Sequence, residues 1–301
     1  MILARDGATG GVDVRGGAPG TRELALLDPV NSVKYVNAVV LSGGSAFGLD
    51  VGSGVMRYLD EKDIGYRVGQ KVVPIVVGAI LYDLQLEGDK KIRPGPECGY
   101  IAAQAASGRT VEEGSVGAGA GATVGKMGGG NPMKGGFGTA SIALRNGLVV
   151  AAAVAVNAVG DIIDPATGEI VAGILNSDGS EFLDARTVLR SGVSDKDIEL
   201  GIEDGTNTTI GLIGTNARLT KAQATKVAQM AQDGLARTIY PAHTMGDGDI
   251  VFTLATGTIE GQQDVSLVGA LAADVMAEAI LRAVRLAEGL PGIPSVSDLR
   301  R

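Results

Sequence analysis

The segment Gly114–Gly138 reads GSVGAGAGATVGKMGGGNPMKGGFG. A stretch this rich in glycine is either a flexible linker or tightly turned backbone packed against its neighbours. A linker would be rich in Ser and polar residues and would separate two self-sufficient halves. This one feeds directly into an expected strand pair, Thr139–Arg145 and Leu148–Val156, joined by Asn146-Gly147, a strong hairpin signal. The segment is therefore expected to be packed backbone. The whole chain follows the same economy of volume: 47 glycines, 3% aromatic residues and no Trp, against 45% apolar residues. Its core must be built from Ala, Val, Ile and Leu, and small residues let helices lie flat on sheets. No Gly period of three is present, which excludes a collagen-like chain. A tightly layered α/β or α+β protein follows, and 301 residues fit one large domain or two small ones.

Along the chain, Met1–Ala4 reads as the end of a strand before a Gly-rich turn, and Ala38–Leu41 as a short strand leading into a helix that ends near Glu61. Pro74–Leu84 is apolar and is followed by a Gly88-Asp89 turn, and Pro96–Ser107 reads as an Ala-rich helix. Ala185–Gly201 is polar, as in a surface excursion, and Thr208–Thr215 is a β run. Thr220 can cap a helix over Lys221–Arg237. Asp249–Ala255 is a further strand, Asp264–Glu288 a long helix with apolar spacing at Leu267, Leu271, Val275 and Ile280, and Pro291–Arg301 a loose end.

The net charge is −8 and no basic block stands out, so there is no electrostatic case for nucleic acid or an anionic membrane surface. No apolar run reaches membrane-spanning length without interruption. The single cysteine, Cys98, excludes an internal disulfide framework and a multi-Cys metal site, and is expected to be a buried structural thiol. The first residues, MILARDGATGG, lack a signal-peptide pattern, so a soluble cytoplasmic protein is expected.

Four local patterns bear on chemistry. Gly43–Gly48 lies between a strand and a helix, where backbone N–H groups bind anions. Its spacing departs from the dinucleotide fingerprint and it has no Walker lysine, so a close-packed turn is the plainer reading. A non-catalytic protein, or a nucleotide-binding one using the Gly43–Gly48 turn, stays open as the alternative. His243 is the only histidine, so any Ser-His-Asp triad would need it; in its turn it reads more simply as a structural hydrogen-bonding residue. One His and one Cys cannot furnish a normal zinc ligand set, and no metal or cofactor is expected. Asp247-Gly248-Asp249 lacks the spacing of a calcium loop, but two carboxylates so close can share a proton in a pocket. Finally, Asn207-Thr208-Thr209 joins a turn to a strand. A strained bond there can be attacked by the next residue's hydroxyl, giving an ester that water cleaves. The new N-terminal Thr then holds an amine, of ordinary pKa about 8, beside its hydroxyl, and needs no histidine as base.

Eight segments occur in order: VDVRGGAPGTRELALLDP, LSGGSAFGLDVGSGVMRYL, VPIVVGAILYDL, GSVGAGAGATVGK, KGGFGTAS, VAVNAVGDIIDPATGEI, GTNTTIGLIGTNARLT and AHTMGDGDIVFTLATG. Together they resemble the DmpA-type self-processing peptidases, which include L-aminopeptidase/D-esterases, β-peptidyl aminopeptidases and 6-aminohexanoate-oligomer endohydrolases (nylon hydrolases). The resemblance runs from about Gly10 to Leu286. It implies an α+β fold, the αββα four-layer sandwich of N-terminal-nucleophile hydrolases. It also implies that residues 1–301, one hydrolase domain, are cut between Asn207 and Thr208 into a chain of 207 residues and one of 94 that stay together. Thr208 matches the nucleophile, and Asn157 an asparagine whose amide donates to the developing oxyanion. Lys126 matches a nylon-hydrolase lysine that orients Thr208 or lowers its amine pKa, and Asp247 and Asp249 a carboxylate pair beside the nucleophile. Peptidase members tend to carry Ser and Glu at those two places, so the set leans towards the oligomer-hydrolase branch, with an aminopeptidase or amino-acid amidase-esterase as nearest rival. The implied partner is a small amide, peptide or oligoamide substrate, and the implied assembly a homo-oligomer, tetramer or dimer.

Overall fold

The computed structural model describes residues 1–86, 91–128, 130–191 and 206–299. The expected Gly88-Asp89 turn, and residues 192–201 of the expected polar excursion, lie outside the described residues. Among the latter, eight strands form the main sheet: β1 (Ile2–Val14), β2 (Gly20–Arg22), β3 (Tyr35–Ser42), β4 (Val76–Ile80), β5 (Gly136–Ala143), β6 (Val149–Asn157), β7 (Thr208–Thr215) and β8 (Ile250–Ala255). Their spatial order is β2-β4-β3-β1-β8-β7-β6-β5. Among the described residues the α-helices are α1 (Val51–Asp60), α2 (Pro96–Ala105), α3 (Ala185–Arg190), α4 (Lys221–Thr238), α5 (Val265–Arg285) and the short α6 (Val296–Leu299).

The alternating side chains of these strands divide among separate apolar clusters, and this division defines the layers. Val39 and Leu41 of β3 and Val77 and Ala79 of β4 meet Ile210 and Leu212 of β7 and Ile250, Phe252 and Leu254 of β8 in one central cluster. The two halves of the sheet therefore pack face to face. Burying Phe252 completely in that layer contributes about 2–3 kcal/mol. The opposite faces carry the helices. Ala38 and Val40 of β3 pack with Val55 and Leu59 of α1 and Ala103 of α2. Val150, Val154 and Val156 of β6 pack with Val227 of α4 and Met276 and Ile280 of α5. The order helix, sheet, sheet, helix is the expected αββα sandwich. The two β layers are joined through β1, whose start pairs with β3 (Leu3 opposite Ala38) and whose end pairs with β8 (Val12 opposite Phe252), with a register shift between Leu3 and Ala8.

The small residues act as expected. A Cβ on Gly136 or Gly138 would lie 2.1 Å from the carbonyl oxygen of Ala283 or Ala279 in α5, so that helix rests on bare β5 backbone. Lys134, fully buried, donates from Nζ to the carbonyls of Gly119 (2.6 Å), Ala122 (3.0 Å) and Gly135 (3.0 Å), pinning the Gly-rich segment from inside. Thr220 caps α4 in a reciprocal capping box with Gln223.

Four expectations need correction. The first strand continues to Val14, because Gly7, at φ +78°, absorbs the bend inside it. Cys98 is exposed: α2 turns Gly99 and Ala103 towards α1, and the neighbouring position points outward. In α5 the buried stripe is Val268, Ala272, Val275, Met276 and Ile280, one position off the expected Leu267 and Leu271. The tail is packed, with Val296 buried and the Pro294 carbonyl accepting from the Lys134 backbone N–H at 2.8 Å.

Candidate active site

The middle of the sheet brings three strand ends to one edge. β7 begins at Thr208, and β6, running antiparallel, ends at Asn157 directly opposite it. β8 runs parallel to β7 and starts one residue after Asp249. Asn157, Asn207, Thr208, Asp247 and Asp249 are each at most 3% exposed. Polar groups buried this deeply must be hydrogen-bonded to be tolerated.

The two carboxylates meet that demand. Asp249 Oδ1 accepts the backbone N–H of Thr209 at 2.7 Å. Its Oδ2 accepts the backbone N–H of His243 at 3.0 Å and bonds the His243 ring through Nδ1 at 2.9 Å. Asp247 Oδ2 accepts from the Thr244 backbone (3.1 Å) and hydroxyl (2.6 Å), and Oδ1 from the Val159 backbone (3.5 Å). Burial first, and then the charge of Asp249, push the Asp247 carboxyl above the ordinary carboxylate range. A strap from the end of β1 holds the loop: the Ala18 N–H donates to the Asp247 carbonyl (2.8 Å), and the Arg15 and Gly16 N–H groups to the Asp249 carbonyl (3.0 and 3.2 Å). A Cβ on Gly16 would lie 2.3 Å from Asp247 O and Asp249 N, so this approach needs glycine.

The Asn207–Thr208 bond is gripped from both sides. The Thr208 hydroxyl donates to the Asn207 carbonyl oxygen, in close contact. The Gly248 N–H donates to that same oxygen at 2.8 Å. One residue earlier, the Thr206 carbonyl accepts from Lys126 Nζ (3.3 Å) and Asn157 Nδ2 (3.2 Å). Lys126 Nζ also reaches the Asn157 carbonyl (3.0 Å) and Oδ1 (3.1 Å), and Asn157 is fixed further by the Thr123 N–H (2.9 Å) and the Tyr82 carbonyl (2.9 Å). Burial pulls the Lys126 ammonium down to about 7, partly opposed by Asp247. A cavity of about 1110 Å³ opens beside this cluster, lined by Thr123, Lys126 and Thr206 among others.

All five residues singled out in the sequence thus meet around one peptide bond, with one difference of detail. The Asn157 amide serves the Thr206 carbonyl, whereas the carbonyl of the Asn207–Thr208 bond is held by the Gly248 N–H. Sequence reasoning missed this backbone donor, for which the Gly between two Asp was the available signal. It also missed the strap and the pairing of His243 with Asp249. His243 is a hydrogen-bonding residue of its turn, at φ +61°, whose ring partner is Asp249. In the Gly43–Gly48 turn, Asp83 Oδ1 accepts the Gly44 N–H at 2.7 Å. A carboxylate already sits where a phosphate would bind, and its charge disfavours a second anion there.

Among the described residues no helix is long and apolar enough to cross a membrane, and no group of three or more His, Cys, Asp or Glu is arranged to hold a metal. An uncharacterized aminopeptidase of Mycobacterium leprae is 45% identical, over 98% of this chain and 84% of that protein. A 6-aminohexanoate-oligomer endohydrolase of an Agromyces species is 30% identical, over 92% of this chain and 77% of its own length. The solved L-aminopeptidase D-Ala-esterase/amidase of Ochrobactrum anthropi, described as a variant of the Ntn hydrolase fold, superposes with a TM-score of 0.68 at 18% identity, covering 98% of this chain and 79% of that one. A Burkholderia β-aminopeptidase superposes with a TM-score of 0.68 at 22% identity, covering 97% and 80%. These two likenesses carry the fold, the N-terminal-nucleophile hydrolase sandwich. Residues 2–296 match peptidase family S58, and the chain belongs to that family as a hydrolase of amide bonds.

Proposed function

We propose that the chain cuts itself between Asn207 and Thr208 and then uses Thr208 as the nucleophile of an amide hydrolase. The observation that carries this reading is the pair of contacts on the Asn207 carbonyl: the Thr208 hydroxyl on one side and the Gly248 N–H at 2.8 Å on the other. Attack of Oγ on the Asn207 carbon drives charge onto the oxygen that Gly248 already holds, the interaction that lowers acyl-transfer barriers most. The C–N bond breaks, the Thr208 nitrogen takes the hydroxyl proton, and an ester remains. Water cleaves the ester and leaves Asn207 as a carboxylate and Thr208 with a free amine.

In the mature enzyme that amine takes the Oγ proton as Oγ attacks a substrate amide, then passes it to the departing amine. Asp249, bonded to the Thr209 N–H, and Asp247 lie on the nucleophile's side and hold the new ammonium end. Lys126 and Asn157 hold the acyl side. The named activities of the relatives support short peptides, amino-acid amides or esters, and linear amide oligomers as the substrate class. We also propose a homo-oligomer, dimer or tetramer, in the cytoplasm. The resemblance supports the first, and the absence of any internal disulfide from a chain with one cysteine supports the second.

Intact-mass measurement of the purified protein is expected to give two species, of 207 and 94 residues. Thr208→Ala is expected to give one uncut chain without amidase activity. A Thr208→Ala protein that still hydrolyses amides overturns the reading.

A further inference from the structure

Resting on Thr208 as nucleophile, we propose that the turn from Leu290 to Ile293, in the C-terminal tail, is the specificity wall of the site. With Leu86 and Pro132 it receives an apolar side chain on the acyl residue of the substrate, and Leu290 and Ile293 select that side chain over a small or a charged one.

The 1110 Å³ cavity opens on the acyl side of the nucleophile. In the uncut chain the acyl residue is Asn207 and the residue before it is Thr206, which lines the cavity together with Lys126. On the other side of the bond, Thr208 and Thr209 run straight into β7 and are buried. A substrate that takes the place of Asn207 on Thr208 Oγ carries its acyl residue towards this cavity.

The lining says which side chain fits. Leu86, Pro132, Leu290, Pro291 and Ile293 supply apolar groups, and among the described lining residues Lys126 is the only charged one. Lys126 Nζ is already engaged by the Asn157 and Thr206 oxygens, so an anionic side chain gains little from it. A cationic side chain meets no lining carboxylate among the described residues. An apolar side chain sheds water on entry and leaves no charge unpaired.

A wall selects by size only if it is stiff, and the local sequence makes this one so. Leu290 and Ile293 exchange both backbone hydrogen bonds, each at 2.9 Å, across Pro291 and Gly292. Proline presets the first turn position, and Gly292, at φ +76°, takes the second. The tail behind the turn is pinned. The Pro294 carbonyl accepts the Lys134 N–H at 2.8 Å, and Asp298 Oδ2 accepts the Ser295 N–H at 2.9 Å and its hydroxyl at 2.7 Å. Leu290 and Ile293 are half-buried, so each keeps apolar surface for a ligand. Neither touches the reacting atoms. Their contribution is binding shared by ground and transition states, which moves KM more than kcat.

The test uses the purified two-chain protein with the p-nitroanilides of leucine, alanine and glutamate. The expected kcat/KM for the leucine probe exceeds that of each of the others by at least about tenfold, the scale of side-chain discrimination in an apolar pocket. Ile293→Ala is expected to lower the leucine-to-alanine ratio by at least about fivefold, mainly through KM, with the alanine probe little changed. Leu290→Ala, on the other arm of the turn, gives the same reading if Ile293→Ala fails to fold. Variants that slow both probes equally show a merely structural role and overturn the proposal, as does a parent enzyme that prefers the alanine or glutamate probe. Cut protein that turns over none of the three also overturns it while leaving the self-cut in place. An uncut protein inert to all removes the Thr208 reading and this proposal with it.

Discussion

Lys126→Met, made in a Thr208→Ala background so that the chain stays whole, isolates the electrostatic strain in the site. The Lys126 ammonium, ordinarily at 10.5, is pulled down to about 7 by burial. Between those values the unfolded chain binds a proton that the folded chain has lost, so the lysine makes stability rise with pH across that window. Below about pH 7 both states are protonated and the full cost is felt. From pH 6 to pH 9 the linkage amounts to about 2.5 kcal/mol, and because Lys126 is only half-buried a gain of about 1–2.5 kcal/mol is expected. The methionine removes this dependence. Lost hydrogen bonds to Asn157 and Thr206 shift its stability by an amount nearly independent of pH, so they drop out of the comparison. Urea unfolding followed by circular dichroism at pH 6, 7.5 and 9 gives both stabilities. The parent is expected to gain on Lys126→Met by at least about 1 kcal/mol over that range. A difference constant with pH refutes a lysine held near neutrality by burial.

Asn157→Ala removes a donor to the Thr206 carbonyl and an anchor of Lys126, and is expected to slow the self-cut and turnover by about 10- to 100-fold, the scale of a buried acceptor left unpaired, read from the half-time of the 207-residue band; unchanged cutting counts against its role. In Gly248→Ala the new Cβ would lie 2.9 Å from Thr208 Oγ1 and 2.8 Å from the Ala18 carbonyl, so the chain is expected to stay uncut by mass spectrometry, and normal cutting refutes the assigned geometry. His243→Phe leaves Asp249 without its ring partner and is expected to cost about 1–3 kcal/mol in urea unfolding. His243→Asn keeps an N–H donor and suits the backbone at φ +61°, so it is expected to recover most of that loss; equal losses in the two variants refute the pairing as the cause.

The sequence showed most where a single local rule decides the outcome. Thr208–Thr215 is a strand at its expected limits because a β-branched, apolar run has no competing signal. Thr220 caps α4 because Gln223 stands at the reciprocal position. The site residues were legible only as members of ordered motifs, since Asn207-Thr208-Thr209 alone is an ordinary strand entry. What stayed hidden depends on contacts between distant segments. The Gly248 N–H contact with Asn207 and the Ala18 contact with Asp247 are backbone bonds, and no side chain advertises them. Cys98 illustrates the same limit on the surface: a helix shows its period in sequence, but the phase that turned Gly99 inward was set by the close approach of α1, where a Cβ on residue 99 would lie 2.0 Å from the Val51 carbonyl.

The strand order carries a consequence for the life of the molecule after any cut at Asn207–Thr208. β7 and β8 would be the only strands of the main sheet in the shorter piece, and they sit side by side between β1 and β6 of the longer one. Each piece on its own would expose a raw seam of unpaired backbone, and the longer one would be split into two half-sheets. The two products are thus woven rather than docked. Unfolding and separation of the pieces should be one event, so the melting temperature should fall on dilution and neither piece should stay folded alone. Separately made halves should recover the fold only when refolded together. The break would free an amine in the middle of the fabric without loosening a thread of it.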